Sequence, residues 1–273
     1  MPELVFLSLL WYACGMDFSD LSPAVRPRFA AETSFTLAAS DCQSNLKASL
    51  PALERLLQEA AGLHAEALGV GIQALQRAGF TWMLGRLALR LHRSPAWREQ
   101  LRLTTWPSGI RGRLMAERQF VLETEAGERL LEASSEWLCV DMARGRLAKL
   151  PESAAQLANA ETLAFGLCTA KLPPVPAEEP CGEAVFNVRR AEIDANRHVN
   201  NVHYAEWMLE TLPEEVFFCG TPRTLDIEFK QAAHLGDTVV SRTYSLGSGR
   251  FLHSITSPAG VLLARASTGF SAP

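Results

Sequence analysis

The sequence predicts an α+β fold made of two tandem copies of one domain, each a curved antiparallel sheet wrapped around a long central helix. The first reason is an internal repeat: "EAGERLLEASSEW" at 125–137 aligns without a gap with "PAGVLLARASTGF" at 258–270. Both segments have the pattern of a β-hairpin with glycine in the turn. The second reason is one helical pattern in each half. The third is alternation of apolar and polar residues, as in "GRLALRLHR", which predicts strands with one buried face.

Each half has a long helical pattern ahead of its strands. In the first half it covers "ASLPALERLLQEAAGLHAEAL", where the spaced residues are Leu50, Leu53, Leu57, Ala60 and His64. In the second it covers "NNVHYAEWMLETLP" and stops at Pro213, with Val202, Ala205, Leu209 and Leu212 as the spaced residues. A polar loop precedes each helix: "DCQSN" at 41–45 has the acid-x-amide spacing of "DANRH" at 194–198, which aligns Asn45 with His198.

The repeat divides the chain into domains. Asp41 lies 86 residues before the turn glycine Gly127, and Asp194 lies 66 before Gly260, so the first half carries about twenty extra residues. We expect an N-terminal domain at 29–151, a linker rich in proline and acids at 152–182, and a C-terminal domain at 183–273 that carries the active site. Residues 1–28 are expected to form a poorly ordered extension, or translation starts at Met16; a signal peptide is less favoured, because Glu3 stands where positive charge is expected.

Composition excludes several classes of protein. With 48% apolar residues, 21% charged residues and a net charge of -4, the chain is typical of a soluble globular protein with no nucleic-acid partner. The six cysteines include no C-x-x-C pair, which argues against a disulfide framework or zinc site and favours the cytoplasm. No metal spacing and no phosphate-binding glycine loop is present, so no cofactor and no metal is expected. The apolar start is too short for stable membrane insertion.

Chemistry concentrates in the loop at 194–198. In an extended loop Asp194, Asn196 and His198 point to one side and can converge on a pocket. Asn200 or Asn201 is suited to cap the helix that follows, whose N-terminus can polarise a carbonyl and stabilise an oxyanion. The acid can serve as general base or nucleophile, with the amide and imidazole positioning water or carrying a proton. The alternative is that these side chains only form a turn and a cap.

These residues carry a resemblance to a known family. "DANRHVNNVHYAEWMLE" resembles the D-x-N-x-H-V-N-N-x-x-Y-x-x-W-x-L-E signature of the acyl-acyl carrier protein thioesterases, and "TWPSG" and "EWLCVDMARGRLAKLP" in the first half resemble segments of its bacterial members. The resemblance implies two fused hot-dog domains and hydrolysis of fatty acyl thioesters of acyl carrier protein. It implies catalytic roles for Asp194, Asn196 and His198. Because the helix start faces the same pocket, we expect substrate contacts from Asn200 and Asn201, and because two fused copies already supply a paired arrangement, we expect a monomer or homodimer. We expect the first copy to hold the acyl tail.

One position departs from the family pattern. The family commonly continues L-x-x-E-[YF]-[KR]-[KR]-E, and its last glutamate is assigned to catalysis. Here the chain reads "LDIEFKQA", so Ala232 occupies that position. Three alternatives stay open: the loop acid acts alone, activity is weakened, or the protein binds acyl chains without cleaving them. Hydrolysis of coenzyme A thioesters is a further alternative, because the same fold and loop support it.

An arginine-rich segment is a candidate docking surface. Residues 86–118 contain eight arginines against Glu99 and Glu117, in an acidic chain. Because acyl carrier proteins are strongly acidic, Arg86, Arg90 and Arg93 are predicted to contact the carrier. The alternative is the ordinary solvent-facing side of alternating strands.

Overall fold

The computed structural model describes residues 27–157, 165–168 and 170–271. The predicted extension at 1–28 lies outside the described residues except for its last two positions. The expected linker at 152–182 is described in part, and it begins with a short helix, α3, at Glu152–Ala155.

The first half contains a six-residue strand, two helices and then four long antiparallel strands followed by a two-residue strand. In chain order these elements are β1 (Ala31–Thr36), α1 (Leu50–Ala67), α2 (Ile72–Arg77), β2 (Phe80–Leu91), β3 (Gln100–Arg111), β4 (Met115–Thr124), β5 (Arg129–Asp141) and the two-residue β6 (Arg146–Leu147). Ser49 caps α1 by accepting a hydrogen bond from the Ala52 amide, and Pro51 lies in the first turn, where its missing N–H costs nothing.

The second half repeats that order. Its elements are β7 (Gly182–Asn187), α4 (Asn201–Leu209), α5 (Glu214–Cys219), β8 (Thr221–Phe229), β9 (Thr238–Gly247), β10 (Arg250–Thr256) and β11 (Leu262–Ser271). The predicted repeat is therefore present as structure, and Gly127 and Gly260 both occupy hairpin turns with positive φ. The extra residues of the first half are spread out: α1 has 18 residues against 9 in α4, and β2 to β5 are each longer than their counterparts β8 to β11.

The two halves share one continuous sheet of eleven strands, in the order β1-β3-β4-β5-β2-β8-β11-β10-β9-β7 with β6 beside β5. The halves meet where β2 pairs antiparallel with β8, its equivalent in the repeat, from Arg86 opposite Glu228 to Arg90 opposite Thr224. Joining equivalent strands antiparallel gives the halves an approximate twofold relation, like that of a symmetric dimer.

The helices fill the concave side of this sheet. The predicted apolar positions of both helical patterns are buried, including Leu53 and Leu57 on α1 and Ala205 on α4. They pack in one core cluster with leucines of β2 to β5 and with Ile227 and Ala264 of the second half. The α+β class and the layout of a sheet around a helix in each half are thus confirmed. Burial of these side chains is the main force that holds both halves on a common core.

The join between the halves is fastened by a buried ion pair. Arg86 donates to both carboxylate oxygens of Asp226, at 2.8 and 2.7 Å. The same guanidinium donates to the backbone carbonyls of Cys168 and Ala170 in the connecting segment. Since Arg86 is only 6% exposed, it ties β2, β8 and the connection between the domains together.

Candidate active site

The loop at 194–198 is closed by its own acid. Asp194 Oδ1 accepts hydrogen bonds from the amides of Asn196 and His198, at 2.8 and 3.2 Å. The Asp194 amide donates to the His198 carbonyl at 2.8 Å, and Arg197 adopts a φ of 61° at the tip. The turn chemistry considered from sequence is therefore real. It uses Oδ1, so Oδ2 is the oxygen of Asp194 left to act on a bound molecule.

The helix that follows starts as the sequence predicts. Asn200 is the N-cap of α4, with its side chain accepting from the Val202 amide at 3.2 Å. The Asn200 amide donates to the Glu192 carbonyl at 2.8 Å, and the Val199 amide donates to the Ala233 carbonyl at 3.0 Å. These bonds hold the loop between the preceding turn and the segment after β8, so the start of α4 is fixed relative to the loop.

All five predicted loop residues border one cavity of about 600 Å³. Its wall on this side consists of Asp194, Asn196, His198, Asn200, Asn201 and the residues around Ala232 at the end of β8. The cavity continues into the first half, between the helices and β2 to β5, where Trp82, Leu84, Ile110, Trp137 and Val140 border it. The polar loop and the positive end of α4 therefore face a space whose other walls are largely apolar.

Contacts from outside the loop position its side chains. The Thr81 hydroxyl, on β2 of the first half, donates to Asn196 Oδ1 at 3.2 Å. The His198 ring meets the His234 ring edge to face, with centroids 5.0 Å apart. Tyr204 on α4 accepts from the Ala233 amide at 2.8 Å, and burial raises the pKa of its phenol to about 12. Sequence reasoning missed Thr81 and His234, because nothing in the local pattern signals partners so far along the chain.

Ala232 borders the cavity where the family pattern has glutamate. The two nearby acids on or beside α4 do not replace that carboxylate at the cavity wall. Glu206 is bonded to His203 Nδ1 at 2.7 Å, Glu210 is exposed after the last helical residue, and neither borders the cavity. The other carboxylates that do border it, Glu59 and Glu117, come from the first half.

The equivalent loop of the first half is aligned differently from the sequence expectation. The Gln43 amide donates to the Lys47 carbonyl at 2.9 Å, as the Asp194 amide does to the His198 carbonyl. Leu46 has a φ of 59°, close to the 61° of Arg197. Gln43 therefore corresponds to Asp194, and Lys47 rather than Asn45 corresponds to His198.

The alignment of 41–45 with 194–198 is thus wrong by two residues. The Asp41 carbonyl accepts a hydrogen bond at 3.0 Å from the amide of Ser49, the N-cap of α1. The Glu192 carbonyl accepts one at 2.8 Å from the amide of Asn200, the N-cap of α4, so Asp41 corresponds to Glu192. Asn45 corresponds to Asn196. The first half has the amide but neither the acid nor the imidazole, so the candidate chemistry is confined to the second half.

The arginine-rich segment is not a uniformly positive surface. Arg86 is buried in the ion pair with Asp226 and is not available to a docking partner, which overturns its predicted role as a carrier contact. Arg93 pairs with Glu99 and Glu128 at 2.7 and 2.6 Å, and Arg90 is half-buried. Counting charge along the segment missed acids contributed by neighbouring strands and turns, which neutralise much of it. Arg98 and Arg113 remain exposed.

Within the described ranges, no group of three or more His, Cys, Asp and Glu is arranged to hold a metal ion. None of the helices in those ranges has both the length and the apolar character needed to cross a bilayer.

Comparison with known proteins gives a consistent result. The acyl-ACP thioesterase N-terminal domain family matches residues 29–157, and the C-terminal domain family matches 177–272. An oleoyl-acyl carrier protein thioesterase of Coriandrum sativum is 26% identical over 219 residues, which cover 73% of this chain and 58% of that protein. The chain thus spans less than two thirds of that relative's length.

Two solved structures show the same fold. An acyl-ACP thioesterase from Bacteroides thetaiotaomicron has a TM-score of 0.79 at 21% identity, covering 89% of this chain and 98% of that one. A 12:0-ACP thioesterase from Umbellularia californica has a TM-score of 0.81 at 19% identity, covering 90% and 98%. The layout of a sheet around a helix in each half is therefore the layout of those proteins.

Proposed function

Because the chain belongs to the acyl-ACP thioesterase family, we propose that it hydrolyses the thioester between a fatty acyl chain and acyl carrier protein. The products are a free fatty acid and the carrier with its thiol restored. One observation carries the proposal: Asp194, Asn196, His198 and the N-terminus of α4 border one end of a cavity that continues between apolar walls into the other half.

Asp194 is the proposed base. Its Oδ2 takes a proton from water while the water oxygen bonds to the thioester carbonyl carbon. The carbonyl π electrons move to the oxygen, and the positive end of the α4 dipole stabilises that oxyanion. Collapse of the intermediate breaks the carbon–sulfur bond, and the thiolate receives the proton that Asp194 took. Asn196, held by Thr81, and His198 orient the water.

The first half binds the acyl chain in this scheme. Its loop lacks the acid and the imidazole, whereas Trp82, Leu84 and Trp137 line the cavity between its helices and its sheet. Burying an alkyl chain there stabilises the complex by roughly 0.8 kcal/mol for each methylene removed from water. One half supplies binding and the other supplies chemistry.

Two observations favour second candidates. Ala232 leaves the cavity without the family's second carboxylate, which favours an acyl-binding protein of weak or no activity. The ion pairs of the arginine segment remove part of the reason to prefer a carrier protein, which favours coenzyme A thioesters as substrates.

We propose that the protein is cytoplasmic, because its six cysteines are scattered without a paired spacing.

The test uses the same acyl group on acyl carrier protein and on coenzyme A, and measures thiol released by the purified protein. We expect release from the carrier above the rate without enzyme. Asp194→Asn is expected to lower that rate by about 100-fold or more while the protein stays folded.

The matched control is Glu210→Gln, the same change at an exposed acid that does not border the cavity; it should keep the wild-type rate. Binding of acyl carrier without turnover contradicts the hydrolytic proposal. Faster turnover of the coenzyme A thioester contradicts the proposed substrate.

A further inference from the structure

A buried cation lies on the cavity wall of the first half. Arg118 on β4 is 8% exposed and borders the cavity. Phe120 and Leu122 of the core cluster follow it at two-residue steps on β4. Arg118 therefore lies on the same face of the strand as they do, on the concave side of the sheet where α1 packs.

Among the described residues, the hydrogen-bond partners of Arg118 are neutral. Its Nη1 donates to His64 Nδ1 at 2.9 Å and to the Thr105 hydroxyl at 3.1 Å. A guanidinium can only donate, so His64 Nδ1 is the unprotonated nitrogen of a neutral ring. Burial, with the Arg118 charge, lowers the pKa of His64 to about 4. Burial lowers the pKa of Arg118 itself to about 10, so it stays charged at neutral pH.

No acid among the described residues forms an ion pair with Arg118. Glu117, next to it on β4, pairs with Arg111. Burying a charge without an opposite charge is costly, so such a group in a cavity wall favours an anionic ligand.

The fold itself does not require a charge at this position. Arg118 is opposite Ser135, and in the second half Phe251 is opposite Thr268, the repeat equivalent of Ser135. Phe251 is buried and packs against Phe270 with ring centroids 6.2 Å apart. The second half thus fills the position with an apolar ring that does not border the cavity, whereas the first half has an arginine on the cavity wall there.

Arg118 also lies at a useful distance from the loop. Thr81, which contacts Asn196, is opposite Val140 on β5, five residues along that strand from Ser135, the partner of Arg118. At the usual spacings of a sheet, this separates Thr81 from Arg118 by roughly 15–20 Å. Trp82, Leu84 and Trp137 border the cavity between them. The span is comparable with an extended acyl chain of medium length.

We propose that Arg118 binds a carboxylate at the far end of the acyl chain, so that the preferred substrates are thioesters of fatty acids that end in a second carboxyl group. This inference rests on the proposed function, because it places the thioester at Asp194 and the chain along the apolar wall. The carboxylate pairs with the free edge of the guanidinium, and His64 and Thr105 hold the other edge in place.

The test charges acyl carrier protein with two chains of equal length, one ending in a methyl group and one in a carboxylate. We expect wild-type kcat/KM to be higher for the carboxylated chain. In Arg118→Met the ratio of the two values should shift toward the methyl-terminated chain by about tenfold or more. Arg113→Met, at an exposed arginine on the turn between β3 and β4 that does not border the cavity, should keep the wild-type ratio.

The wild-type ratio tests the inference even if the variant does not fold. A wild-type preference for the methyl-terminated chain overturns it, as does an unchanged ratio in folded Arg118→Met. If neither thioester is hydrolysed, the proposed function fails and binding still decides the inference. Calorimetry then compares a dicarboxylic acid with the fatty acid of equal length, and tighter binding of the diacid that Arg118→Met abolishes supports it, whereas equal binding overturns it.

Discussion

Glu54 is expected to make the protein less stable as pH rises. It lies on α1, fully buried, with Oε1 accepting from Gln58 Nε2 at 3.0 Å. Its other oxygen, Oε2, has no hydrogen-bond partner among the described residues. Burial, and then the nearby charge of Glu206, raises the pKa of Glu54 from 4.5 to about 8.

The sign and size of the effect follow from that shift. The folded protein keeps the Glu54 proton until about pH 8, whereas the unfolded chain releases it near pH 4.5. The contribution of Glu54 to the free energy of unfolding is therefore fully present below pH 4.5 and is lost as pH rises toward 8. The slope is about 1.4 kcal/mol per pH unit between the two pKa values and smaller near each of them, so the loss between pH 5 and pH 8 is about 3 to 4 kcal/mol. Glu54→Gln removes the titration and keeps an acceptor for Gln58.

Urea unfolding at pH 5, 6, 7 and 8 measures this effect. We expect the two proteins to be similar at pH 5 and Glu54→Gln to be more stable by about 3 to 4 kcal/mol at pH 8. Glu59→Gln, at an exposed position of the same helix, should follow the wild type at every pH. Parallel curves for wild type and Glu54→Gln from pH 5 to 8 would refute the reasoning, because they would mean that Glu54 is ionised in the folded protein.

Three other substitutions test the site and the join between the halves. Ala232→Glu restores the family's carboxylate at the cavity wall and should raise the rate of thioester hydrolysis by about tenfold or more, measured as initial thiol release; an unchanged rate would show that one carboxylate is enough. Thr81→Val removes the donor to Asn196 and should lower kcat about fivefold with little change in Tm; a fall in Tm alone would contradict a positioning role. Arg86→Met leaves Asp226 without its partner and should lower the free energy of unfolding by about 3 kcal/mol, with part of the loss recovered by adding Asp226→Asn; equal stability in urea would contradict the fastening role.

The helices and the repeat were predictable because they depend on local patterns. Spacing at three and four residues identified the buried face of α1, and an asparagine before an apolar run identified the cap of α4. The gap-free match of two hairpins identified the duplication. These signals are contained within short segments, so they can be read without knowing what packs against them.

The errors came from contacts between distant segments. The burial of Arg86 depends on Asp226, which lies 140 positions away and becomes its neighbour only when β2 pairs with β8. The loop alignment failed because Asp41 and Gln43 lie two apart, and sequence spacing cannot tell which one takes the place of Asp194. The contact from Thr81 to Asn196 has the same origin, since it crosses between the halves.

The pairing of β2 with β8 also determines what happens if the chain is cut at the connection. Each fragment then exposes the strand edge that the other half covered, five residues in β8 (224–228) and five in β2 (86–90). An exposed strand edge can pair with a strand of another chain, so separated fragments are prone to self-association and aggregation. Covalent fusion keeps these two edges paired with each other, and the strand order then ends at β1 and β7, of six residues each.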